Sequence, residues 1–151
     1  MIELVRSSSN NNDFIALVNQ LDADLAKRDG DEHAFYAQFN SIEALKHVII
    51  AYDYKKPVGC GAMKSFDGKS MEIKRMFTLP EYRGQGVAAK ILKELESWAL
   101  ELNHERCVLE TGKRQPEAIA LYKKWGYISI PNYGQYAGVV NSLCFEKKLS
   151  N

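Results

Sequence analysis

Between residues 71 and 110 the chain reads as a strand, a tight turn, a long helix and a second strand, and this unit restricts the fold more than any other feature. Residues 71–79 (MEIKRMFTL) are strand-like, Pro80 ends the run, and Arg83-Gly84-Gln85-Gly86 leads straight into a helix. That helix carries Val87, Ala88, Ile91, Leu92, Leu95, Trp98, Ala99 and Leu102 on one face and Lys90, Lys93, Glu94, Glu96 and Glu101 on the other. Residues 107–110 (CVLE) form the next strand. A helical crossover brings the chain back to the end from which it started, so the two strands it joins run parallel.

The strands before this unit follow a different rule. Residues 47–52 (HVIIAY) and 58–66 are separated by a turn at 53–57, and Asp67-Gly68 is a hairpin signal before the strand at 71–79. These three read as an antiparallel meander. In the third, Ile73, Met76 and Thr78 form one set with Lys74 and Arg75 between them, so the two-residue period slips by one. A slip inside a strand indicates a β-bulge, which re-aims the backbone near sites.

The remaining elements complete one α/β domain over residues 1–151, with no repeat, linker or low-complexity tract. Residues 2–5 are a short strand, and the polar loop at 7–12 supplies an N-cap. Phe14, Leu17, Val18, Leu21 and Leu25 make the apolar stripe of a helix ending near Asp29-Gly30. Residues 31–41 are open to two readings: Phe35 and Phe39 allow a helical turn, and the aromatic density also suits a loop lining a pocket. A short helix at 116–124 begins on a proline, and residues 127–131 and 143–149 are the closing strands.

Charge and cysteine content narrow the function classes. Lys plus Arg total 20 and Asp plus Glu 19, a formal balance of +1 that argues against a general nucleic-acid binder but leaves room for a local anion site. Cys60, Cys107 and Cys144 are odd in number, widely spaced and set in apolar contexts. They read as small buried hydrophobes, with no zinc site, no other metal and no disulfide framework. His33, His47 and His104 have no paired ligand or nucleophile in view. The start, MIELVRSSSNNND, has no apolar signal region and no run approaches membrane-spanning length, so a soluble cytoplasmic protein without membrane partners is expected.

The turn at 83–86 carries the chemistry. Glycines at 84 and 86 let the backbone bend tightly and bring its N–H groups close to a ligand. The free N–H groups at the helix start, the helix dipole and the Arg83 charge together form an anion site suited to a phosphate or pyrophosphate. A dinucleotide-binding GxGxxG would want glycine where Ala89 stands, and it follows a meander here, not a βαβ unit. No Gly-Lys-Ser/Thr follows for a Walker A loop, and an ordinary glycine turn before a helix is the plain alternative.

Residues 83–88 (RGQGVA) fit R/Q-x-x-G-x-G/A, the pyrophosphate signature of the GNAT N-acetyltransferase superfamily, and PEYR before them is typical there. Downstream, residues 115–127 (QPEAIALYKKWGY) resemble the second signature, N-x-x-A-x-x-L-Y-x-x-x-G-F/Y. The chain thus resembles a small single-domain GNAT member, and the order of elements from 46 to 149 agrees. The fold this implies is a mixed, mostly antiparallel sheet with a splayed parallel central pair, flanked by helices. The activity implied is transfer of acetyl from acetyl-CoA to a primary amine, small molecule or peptide, by direct attack in a ternary complex. The rival is a catalytically weak acyl-CoA-binding module with a sensing or partner-binding role. Dimerisation is common in the family and stays open here.

Residue by residue, the resemblance implies that Met76, Phe77 and Thr78 pair with the pantetheine arm as an added strand would. Gly84, Gln85, Gly86, Val87, Ala88 and Ala89 hold the pyrophosphate beside Arg83. Gln115 stands where the family has Asn, and Lys113, Arg114, Lys123 and Lys124 are candidates for the adenosine 3′-phosphate. An alkyl amine of pKa about 10.4 is protonated at pH 7, and reversing that costs about 4.6 kcal/mol. A base must help, and the candidates are the carboxylates Glu72 and Glu110. Tyr122 occupies the family's tyrosine position, where its phenol can give a proton to the departing thiolate; Trp125 on the same helix reads as core. The oxyanion falls to backbone N–H near Phe77. Asn132, Tyr133 and Tyr136, in the connection before the last strand, are candidates for the acceptor wall, with Phe35, Tyr36 and Tyr52 less specific.

Overall fold

A computed structural model describes residues 1–30 and 45–150, so the readings placed on residues 31–41, with His33, Phe35 and Tyr36, lie outside the described residues. Among these, the elements in chain order are β1 (Ile2–Ser7), α1 (Asn12–Asp29), β2 (His47–Asp53), β3 (Lys56–Asp67), β4 (Ser70–Thr78), α2 (Val87–Glu101), β5 (Arg106–Gly112), α3 (Pro116–Lys124), β6 (Ile128–Ile130) and β7 (Ser142–Lys148). The strands form one sheet in the order β1-β2-β3-β4-β5-β7-β6, antiparallel throughout except for the β4–β5 pair. The α2 crossover dictates that parallel pair, as the sequence implies.

Helices cover both faces. Val48, Ile49, Ile50 and Ala51 are consecutive and all fully buried, which a strand achieves only when both of its faces are packed. On one face, His47 meets Trp98 of α2 edge to face at 4.8 Å between ring centroids. On the other, the Tyr52 hydroxyl donates to Asp13 of α1 (2.6 Å), which makes Tyr52 a strand-to-helix tie. Asn11 caps α1 as the polar loop predicts, its side-chain oxygen accepting from the N–H groups of Asp13 and Phe14. Cys60, Cys107 and Cys144 are free and buried.

Two features open the sheet at its centre. β4 and β5 pair only over Ser70–Arg106, Met71–Cys107 and Glu72–Val108, although β4 runs on to Thr78 and β5 to Gly112. Beyond Glu72 the two strands part. The parting coincides with a bulge, because β3 pairs Cys60 with Phe77 and Ala62 with Lys74, setting Arg75 and Met76 against Gly61 alone. Arg75 takes up the excess at φ 59°, a left-handed conformation costing a bulky residue about 1–3 kcal/mol. Gly61 makes room on the α2 side: a Cβ there would stand 2.5 Å from Met76 Sδ and 2.7 Å from Ile91 Cγ2. That close approach seats α2 with its N-terminus beside the open end of β4.

Candidate active site

The parted strands bound a cavity of about 460 Å³. β4 from Glu72 to Thr78 lines one side, and Glu110, Thr111 and Gly112 at the end of β5 line the other. The turn at Arg83, Gly84 and Gly86, with Val87, Ala88 and Ala89 of α2, closes one end. Gln115, Tyr122, Lys124 and Trp125 come from the start and body of α3, and Tyr136 from the connection before β7.

The turn end is built for an anion. Gly84 (φ 78°) and Gly86 (φ 84°) both lie in the left-handed region, where glycine alone is unstrained. Gly86 is the N-cap of α2, no side chain caps that end, and its first turn contains no acidic residue. The leading N–H groups and the positive end of the dipole therefore face outward without a competing carboxylate. Arg83 is tethered by its Nε to the Thr78 carbonyl (3.0 Å), with its guanidinium 5.7 Å from the centre of the Phe77 ring. The turn before it is pinned as well, since the Tyr82 hydroxyl donates to Asp53 (2.8 Å). The Gln85 side chain points away, its amide donating to the Glu81 carbonyl (3.1 Å), which leaves only its backbone for a ligand.

The opposite end separates the two candidate carboxylates. Pairing register places Glu72 and Lys74 on the α1 face of β4, and Glu110, two residues beyond Val108, on the same face of β5. Glu72 is engaged: the Tyr133 hydroxyl donates to its Oε2 (2.7 Å) and Lys74 Nζ lies 3.9 Å from Oε1. Glu110 has a buried Oε2 with no hydrogen-bond partner among the described residues. Burial pushes its carboxyl up to about 7, against the Ser142 hydrogen bond and the Lys74 charge, with Glu72 and Asp29 adding a smaller upward push. A carboxyl poised near neutrality in a cleft is suited to moving a proton.

Tyr122 is buried, with its ring 5.7 Å from Tyr127 and 6.5 Å from Phe145, and it lines the cavity. Burial first, and the Glu110 charge second, push its phenol well above the usual tyrosine range, so it remains a proton donor at any working pH. Trp125, read from sequence as core, is half-buried: it packs against the core and also borders the cavity, with Lys93 Nζ 4.1 Å from its ring centre. Gln115 stands beside the end of β5, where a Cβ on Gly112 would lie 3.5 Å from its Nε2.

Of the three acceptor-wall candidates, the cavity takes in Tyr136 directly. Tyr133 sits behind it, edge to face with Tyr136 at 6.1 Å and with Phe66 at 4.8 Å, and reaches the cavity wall through its bond to Glu72. Asn132 donates to the carbonyls of Val139 (3.0 Å) and Ser142 (2.9 Å), so it fastens the connection and does not face the cavity. Sequence reasoning missed the contribution of α1, whose Leu21, Asp24, Leu25 and Asp29 form a wall, and it missed Arg75. The slipped period at Lys74 and Arg75 was the available signal for the latter.

Known proteins resemble this chain in sequence and in shape. The family model described as the acetyltransferase (GNAT) family matches residues 15–127. The IAA acetyltransferase of Azospirillum brasilense is 38% identical over 93 residues, which is 61% of this chain and 61% of that protein. An uncharacterized N-acetyltransferase of Bacillus subtilis, YsnE, is 33% identical over 101 residues, 66% of this chain and 67% of its own length. The chain therefore spans about three fifths to two thirds of these relatives. A Klebsiella pneumoniae protein described as an acyl-CoA N-acyltransferase superposes with a TM-score of 0.82 at 29% identity, covering 99% of both chains. The PaiA N-acetyltransferase of Thermoplasma acidophilum, solved in complex with coenzyme A, shares the fold at TM-score 0.76 and 17% identity over 98% of this chain and 99% of its own. With the family model reaching across the bulged strand, the glycine turn and the tyrosine-bearing helix that enclose the cavity, the chain belongs to the acetyltransferase (GNAT) family.

Proposed function

We propose that this protein transfers acetyl from acetyl-CoA to a primary amine by direct attack in a ternary complex. One observation carries the reading. A single cavity between parted strands has an uncapped helix N-terminus with left-handed glycines at one end and, at the other, a buried carboxylate with one oxygen unpaired among the described residues.

Acetyl-CoA supplies the activated thioester. The N–H groups of residues 84–89, with Arg83 beside them, fit its pyrophosphate, and Lys124 borders the cavity where a 3′-phosphate can reach it. Beyond Glu72 the edge of β4 that faces β5 is left without a strand partner, and Met76, Phe77 and Thr78 there suit pairing with the pantetheine arm. Backbone N–H near Phe77 is placed to meet the carbonyl oxygen as negative charge develops.

The carboxylates Glu72 and Glu110 and the tyrosine hydroxyls give the far end the character of a cation site, which favours an ammonium acceptor. Glu110 takes a proton from that ammonium, and the neutral nitrogen forms its bond to the acetyl carbon while the carbon–sulfur bond breaks. Tyr122 gives a proton to the departing thiolate, and the second proton lost by the nitrogen restores its phenol, so the products are the amide and CoA thiol, with the first proton released to solvent from Glu110. No covalent acetyl-enzyme is needed, in keeping with three cysteines that are buried, and burial pushes the thiols of Cys60 and Cys107 up to about 12.

The test is release of CoA thiol from acetyl-CoA with a panel of primary amines, together with mass detection of the N-acetylated product. Equal amounts of thiol and N-acetyl product are expected with at least one amine. Tight acetyl-CoA binding with no thiol release across the panel would replace this reading with that of a binding module.

A further inference from the structure

Arg75 is a charged residue on the cavity wall that the acetyl-transfer chemistry leaves without a task. Its side chain is 4% exposed, yet it sits at the bulge in a left-handed conformation, φ 59°, that a long side chain rarely adopts. Its Nη2 is held by Asp22 of α1, 3.0 Å from one carboxylate oxygen and 3.1 Å from the other. Its Nη1 is buried and has no hydrogen-bond partner among the described residues. One arm of the guanidinium is thus neutralised by a part-exposed aspartate, and the other keeps its donors unused.

Placement gives that spare arm a meaning. Arg75 lines the same cavity as Glu72, Lys74 and Glu110. Glu72, Lys74 and Glu110 share the α1 face of the sheet by register, and the bond to Asp22 shows the Arg75 guanidinium reaching the helix on that face. A planar guanidinium with one arm anchored and one arm bare is suited to a second carboxylate, which would accept charge-assisted hydrogen bonds from it. Two residues separate Glu72 from Arg75 along β4, and both side chains line the one cavity, so a small molecule there can meet both groups. We infer that the acceptor is an amino acid: its ammonium lies at Glu110 and Glu72, and its carboxylate completes the half-occupied fork of Arg75.

This rests on the proposed acetyl transfer to an amine and adds the second recognition group. The test compares CoA thiol release for free amino acids, glycine, β-alanine and the common α-amino acids, with release for the same compounds as carboxamides. The wild-type protein is expected to favour the best free acid over its carboxamide by about 10- to 100-fold in kcat/KM. In Arg75→Gln that ratio is expected to fall to near one, and a ratio is unaffected by any fraction of protein that fails to fold. Asp22→Asn serves as a second variant that keeps the guanidinium and loosens its anchor, and it is expected to lower the ratio in part. Carboxamides or simple amines that turn over as well as the free acids would overturn the inference and leave acetyl transfer standing. A ratio unchanged by Arg75→Gln would also overturn it. No thiol release with any acceptor would remove both readings together.

Discussion

Replacing Glu110 with glutamine tests stability and chemistry in one variant, because the same burial governs both. The carboxyl stands at about 7 in the folded protein against an ordinary 4.5, and at 1.36 kcal/mol per pH unit its ionised form works against the fold by about 3 kcal/mol. Below pH 4.5 the group is protonated in both the folded and the unfolded chain, and the penalty is absent. As pH rises towards 7 the unfolded chain gives up its proton while the folded one keeps it, so wild-type stability declines and reaches its full loss above pH 7. Glutamine is neutral throughout and escapes this. Urea unfolding at pH 5 and pH 8.5 is expected to show the stability difference, variant minus wild type, increasing by about 2.5 kcal/mol between the two conditions. At the higher pH the variant should melt several degrees above wild type. Activity should move the other way: wild-type kcat/KM rises about tenfold per pH unit up to about 7 and then levels, and the variant loses about 100-fold or more together with that rise. Stability curves that run parallel in pH, or an unchanged rate profile, would show that Glu110 is neither perturbed by burial nor the base.

Other substitutions address the remaining parts of the site. Tyr122→Phe should lower kcat by about 100-fold or more while CoA affinity, measured by calorimetry, stays within about twofold; an unaltered kcat would remove the general-acid role. Gly86→Glu puts a side chain at φ 84° and a negative charge at the uncapped start of α2, and CoA affinity should fall by at least about 30-fold. Tyr133→Phe takes the 2.7 Å hydrogen bond from Glu72, and KM for the amine should shift more than KM for acetyl-CoA. Gly61→Val sets a side chain against Met76 and Ile91 and should cost about 1–3 kcal/mol in urea unfolding.

What could be read from the sequence divides along a physical line. Local periodicity and turn chemistry carried the strands, the helices and the parallel crossover, because each of these is set by residues adjacent in the chain. The bulge was legible for the same reason, as a slip between Ile73 and Met76 that the structure resolves into Arg75 and Met76 facing Gly61. The difference between Glu72 and Glu110 was not legible, because it turns on a hydroxyl 61 residues away that reaches the first, while one oxygen of the second stays unpaired among the described residues. Asn132 shows the opposite case: a polar residue in an aromatic connection suggests ligand contact, yet its amide nitrogen is taken up by the carbonyls of Val139 and Ser142. The α1 wall was hidden too, since the apolar stripe that packs the helix also lends Leu21 and Leu25 to the cavity.

A crystal structure of the protein with CoA tests the central claim most directly, because that claim is a location. The pyrophosphate is expected on the N–H groups of residues 84–89, the pantetheine along β4 beyond Glu72 in the gap left by β5, and the sulfur within hydrogen-bonding reach of the Tyr122 hydroxyl. CoA bound elsewhere, or a sulfur remote from both Tyr122 and Glu110, would contradict it.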